Sequence, residues 1–88
     1  MSTNSTTGKA TKRSLRSATF ADDLRTQERE HIEAVVSAIR ERTVESGRRV
    51  GRAANLLERM YDTLPDDVAE RRSASHSAAL HAAAAVAS

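Results

Sequence analysis

Cysteine is absent, so the chain has no disulfide framework, no thiolate zinc site and no thiol nucleophile. That fits a reducing, cytoplasmic setting. Tryptophan is missing too, and Phe20 and Tyr61 are the whole aromatic complement. Phe, Ile, Leu and Val make up about 17% of the chain, below the roughly 20% at which a folded domain becomes core-poor. A chain of this length buries only about 60% of its unfolded surface even when compact. Either partners complete the core or part of the chain stays disordered. The longest weakly polar run, Ala82 to Ala87, is far short of the ~20 residues a membrane span needs. The first residues lack the apolar stretch of a secretory signal. The three glycines, Gly8, Gly47 and Gly51, form neither a P-loop nor a dinucleotide fingerprint.

Charge is unevenly placed. Residues 1–19 carry Lys9, Lys12, Arg13 and Arg16 and no acid, whereas residues 20–88 hold 10 basic and 12 acidic side chains. The protein reads as a basic tail on a mildly acidic body. Ser, Thr and Asn dominate the tail, Leu15 is its one large aliphatic residue, and low hydrophobicity with charge of one sign predicts disorder over 1–19. Residues 20–88 read as one helical region with a turn near 62–66.

Helical signals start near Phe20, with Asp22 and Asp23 placed as acids at a helix N-terminus. From there a heptad seam runs through Ile32, Val36, Ile39, Thr43, Ser46, Val50, Ala53, Leu57, Met60 and Leu64, at alternating intervals of four and three. Its apolar members (Ile32, Val36, Ile39, Val50, Ala53, Leu57, Met60 and Leu64) are the candidate oligomer interface, most simply of a homodimer. The flanking positions lack complementary charge, and the stripe widens toward Ala54, Leu56 and Tyr61, which suits packing on more than one neighbour. Gly47 and Gly51 each cost about 1 kcal/mol relative to Ala inside a helix. A kink or turn at Gly47 therefore competes with a continuous helix. Thr63 with Asp66 resembles a capping box, Pro65 suits a first helical turn, and an Ala-rich second helix is expected over about 64–86.

The fold class is thus all-α: a long helix, continuous or kinked at Gly47, and an Ala-rich second helix, forming a hairpin or a coiled-coil-like oligomer. Read instead with a turn at Gly47-Arg48-Arg49-Val50, the stretch Glu33 to Leu64 resembles the two helices of ribbon-helix-helix DNA-binding proteins. Val35, Val36, Ile39 and Thr43 would then face a dimer core, with Ala54, Leu57, Met60 and Tyr61 on the second helix. The resemblance implies a strand over Lys12 to Phe20. The 26 residues between Phe20 and Gly47 exceed the family's spacing by about two helical turns.

No catalytic constellation is present. His76 and His81 lie five apart and diverge on a helix, so they cannot share a metal as an i, i+4 pair would. Asp22–Asp23 and Asp66–Asp67 are explained as helix starts. The expectation is a non-enzymatic protein with no metal and no cofactor. Two functions compete. The first is a DNA-binding accessory or regulatory protein in which Lys9, Lys12, Arg13 and Arg16 contact phosphates and Arg48, Arg49 and Arg52 form a second patch. Glu45 is placed to neutralise Arg48 and Arg49 if that patch has no ligand. The second is a helical assembly or adaptor subunit that binds other protein helices through the 32–64 seam.

Overall fold

In the computed structural model the chain is all-helical, with no strand among the described residues. The structure describes the backbone of residues 2–88 and the side chains of residues 19–88. Of the tail assigned to 1–19, the backbone from Ser2 lies in the first helix, and the side chains of its four cations fall outside those described. Helix α1 spans Ser2–Glu41, α2 spans Val44–Asp62 and α3 spans Asp66–Ala87. Asp22 and Asp23, assigned to a helix start, lie inside α1, in a stretch with neither Pro nor, after Gly8, any Gly to interrupt it.

The break between the first two helices lies at Arg42–Thr43, five residues before the glycine singled out in the sequence. Arg42 has φ 54°, the left-handed conformation that ends many helices and that usually falls to glycine. Its amide still donates to the Ala38 carbonyl at 2.9 Å. Thr43 then turns extended (φ −107°, ψ 160°) and caps α2. The Ser46 amide donates to Thr43 Oγ1 at 3.0 Å, and the Thr43 amide donates to Ser46 Oγ at 3.1 Å. Ser46 Oγ donates in turn to the Thr43 carbonyl at 2.8 Å. This is a reciprocal capping box in which serine replaces the usual Glu or Gln. It withdraws Thr43 and Ser46 from the heptad seam, which therefore cannot run as one straight helix.

Helix α2 passes through Gly47 and Gly51 without interruption, and neither has positive φ. The expected turn at Gly47–Val50 is thus absent, as is any described strand, so neither element of the ribbon-helix-helix pattern is present among the described residues. At the second junction Thr63 closes α2 rather than opening α3: its hydroxyl donates to the Met60 carbonyl at 2.7 Å. Pro65 is itself the N-cap of α3, with no side-chain capping bond, so the Thr63–Asp66 box does not form. Pro65 locks the φ of −57° that the entry needs, and Asp66 and Asp67 occupy the first turn.

Helix α2 runs back along α1, and α3 returns parallel to α1. Residue neighbours fix both directions: late α1 (Val35, Ala38, Ile39) lies beside early α2 (Gly47, Val50) and earlier α1 (Asp23, Gln27) beside later α2 (Leu56, Met60), while Arg72 and His76 meet Glu28 and His31 in the same order. Both later helices pack on α1 and scarcely on each other. The core is small. Among the described residues Leu24, Ala34 and Leu57 are the buried apolar side chains, at 2%, 2% and 3% exposure.

Local energetics give three stability predictions. A Cβ added at Gly47 or Gly51 meets nothing within 4 Å, so Gly47→Ala and Gly51→Ala should each stabilise the chain by about 0.5–1 kcal/mol in urea unfolding. Thr43→Ala removes the cap and should destabilise by about 1 kcal/mol in the same assay. Arg42→Gly, which relieves a left-handed non-glycine residue, should move stability the other way.

Candidate functional site

The described polar groups converge where all three helices meet, on Glu28 of α1. One carboxylate oxygen accepts the Tyr61 hydroxyl of α2 at 2.7 Å, and the other accepts Nη2 of Arg72 of α3 at 3.0 Å. The Glu28 and Arg72 side chains are 16% and 35% exposed, so this ion pair is shielded far more than those at the surface. By contrast, Arg25–Asp22, Arg52–Glu45 and Arg71–Asp67 span 3.5–4.0 Å between side chains at least 66% exposed, the class of pair that contributes little. Arg72 Nε is buried with no hydrogen-bond partner among the described residues. The guanidinium is therefore held at one corner, not by a two-point fork.

One turn further along α1, His31 faces His76 of α3. Their facing nitrogens, Nδ1 of His31 and Nε2 of His76, lie 2.8 Å apart, with ring centroids 5.1 Å apart and planes inclined by 34°. His76 is 9% exposed and is the buried residue of α3. Burial lowers the pKa of both rings below the usual 6.5. For His76 the charge of His31 adds to the lowering, and Glu28 opposes it. Tyr61 is pushed the other way: burial first, then its bond to Glu28, raises its pKa well above that of free tyrosine. It stays a hydrogen-bond donor across the physiological range.

This cluster braces the fold. No group of three or more His, Asp or Glu among the described residues is placed to hold a metal ion. No described helix is long and apolar enough to cross a membrane.

The candidate interface residues are scattered by the break at Arg42–Thr43. Leu57 is buried between α1 and α2, and the Ala53 carbonyl beside it accepts from Gln27 Nε2 at 3.2 Å. Ile32 lies in the groove between α1 and α3 with His76 and Ala79. Met60 borders a recess with Asp23, Gln27 and Leu56. Val36 is half-buried, and so is Leu64, in the turn that leaves α2, where its amide donates to the Tyr61 carbonyl at 3.0 Å. Ile39 and Val50 come together across α1 and α2, in an open apolar groove with Val35, Ala38 and Gly47. Nearby Val44 is 74% exposed.

The expected cationic patch on α2 is interleaved with acids. Arg48, Arg49 and Arg52 are all exposed, and Arg49 and Arg52 border a recess with Glu30 and Glu33. Glu45, expected to neutralise Arg48 and Arg49, lies 3.5 Å from Arg52, two turns along α2. Lys9, Lys12, Arg13 and Arg16 lie outside the described side chains. The reading of residue patterns missed Glu28, Arg72, His31 and His76 as a cluster. Their separations, 44 and 45 residues, lie beyond any local spacing rule.

Compared with protein families, with curated proteins and with solved structures, the chain matches none.

The Glu28 hub carries its own prediction. Glu28→Gln keeps an acceptor for Tyr61 but leaves Arg72 without its counter-charge. It should destabilise by about 1–3 kcal/mol, and more than Tyr61→Phe, when both are measured by chemical unfolding at neutral pH.

Proposed function

We propose that this protein is a non-enzymatic helical assembly or adaptor subunit that gains the rest of its core from the helices of a partner, most simply a second copy of itself. The observation that carries this reading is the small core: Leu24, Ala34 and Leu57 are the buried apolar side chains described, while Val35, Ala38, Ile39 and Val50 line an open groove. Covering such apolar surface contributes about 25 cal/mol per Å² removed from water. Gly47, beside the groove, leaves room for a neighbouring helix to approach. The interspersed acids around Arg49 and Arg52 weaken the case for that face as a phosphate surface.

A second reading rests on a separate observation, the four cations and no acid of residues 1–19. A DNA-binding accessory protein would place this tail along a phosphate backbone, with strongly salt-dependent affinity.

Sedimentation over a wide concentration range tests the assembly reading. The full chain should self-associate, and Ile39→Glu or Val50→Glu should yield a monomer that keeps its helical circular dichroism. A chain that is monomeric throughout removes self-association as the source of the missing core. The DNA reading is tested by fluorescence anisotropy of a labelled duplex of about 30 base pairs at low and physiological salt. Charge reversal at Lys9, Lys12, Arg13 and Arg16 should abolish binding. No binding by the unaltered chain at low salt eliminates this reading.

A further inference from the structure

We propose that the His31–His76 contact is a proton-operated latch, holding α3 against the α1–α2 hairpin near neutral pH and releasing it on acidification. The geometry sets the rule. At 2.8 Å the facing nitrogens make one hydrogen bond, which needs one proton between them: one nitrogen donates and the other must be bare. A first added proton can be carried on the far side of the donor ring, and the bond survives. A second has to occupy the accepting nitrogen, leaving two cationic donors facing each other at the same place. The pair therefore titrates as a unit, and the second step opens it.

The latch acts alongside one other polar attachment of α3, the Arg72–Glu28 ion pair, and a small apolar face. That face is Ala-rich, with Val68 and Leu80 its larger half-buried side chains. The charged and titratable groups around the pair come from every helix. Glu28 of α1 favours a proton on His76, but its carboxylate is already engaged by Arg72 of α3 and Tyr61 of α2. Arg25, Arg29 and Glu33 of α1 line the same groove as His76. Burial of both rings acts against their charged forms. Because the folded-state values lie below 6.5, the unfolded chain binds more protons as pH falls through that value. The contribution of the pair to stability is complete above 6.5 and declines from there downward, until both rings are charged in the folded state.

The test uses the full chain, whose lack of cysteine lets paired labels be introduced at chosen sites. Labels at the exposed positions Arg40→Cys and Ala82→Cys report the α1–α3 separation. A second pair, Thr26→Cys and Arg59→Cys, reports the α1–α2 hairpin. Between about pH 8 and pH 5, the α1–α3 pair should lose energy transfer while the α1–α2 pair keeps it. In the doubly substituted His31→Gln, His76→Gln chain, the α1–α3 signal should no longer depend on pH. Histidine NMR titration of the unaltered chain provides an independent measurement. His31 and His76 should titrate below 6.5, and the label separation should widen in the same range. An invariant α1–α3 signal, a simultaneous change in both label pairs, a pH response that persists without the histidines, or a widening that does not coincide with the second protonation step of the pair would each overturn the latch.

Discussion

The carboxylate of Glu28 is the point on which the three helices depend. Each of its oxygens is assigned to a different helix, one to Tyr61 and one to Arg72. Apolar burial is small, since Leu24, Ala34 and Leu57 are the buried apolar side chains among the described residues. Partly buried ion pairs are not strong sources of net stability, because desolvation offsets much of their attraction. They do make departure costly, since removing one partner leaves the other charge stranded. The assembly is thus held less by the depth of its core than by the penalty for leaving Glu28 or Arg72 unanswered.

The two junctions show how local chemistry divides a long helical pattern. Thr43 and Ser46 fit a heptad repeat by spacing, yet their hydroxyls satisfy each other's backbone amides better than they pack in a seam. Once that cap forms, Arg42 must take the left-handed conformation that lets the chain reverse. The glycines that looked like the weak point are then accommodated inside α2, where the helix gains support from packing on α1.

Much of the fold was legible in the residues. The all-helical class followed from spacing, and the 62–66 boundary from Pro65 and its acids. Leu57, assigned to an oligomer seam, is buried within the chain itself. The first break was obscured for two physical reasons: the left-handed residue is Arg42, not glycine, and the capping box uses Ser46 where Glu or Gln is the usual signal. The polar cluster was illegible because its members meet only after two chain reversals. His31 looks like any surface histidine of an amphipathic helix until His76 is brought opposite it. Tyr61 read as part of a widening apolar stripe, and only its hydroxyl reveals the second role.

The composition of α3 has a consequence for alignment. Ala78, Ala79, Ala82, Ala83, Ala84 and Ala87 give this helix nearly the same small face after a slip of three or four residues in either direction. Shape alone therefore does not distinguish the native register from its neighbours. Arg72 and His76, one turn apart, do so, because a slip would carry both away from Glu28 and His31 at once. Here the polar residues act as index marks on an otherwise featureless ruler, so α3 has a single address on α1.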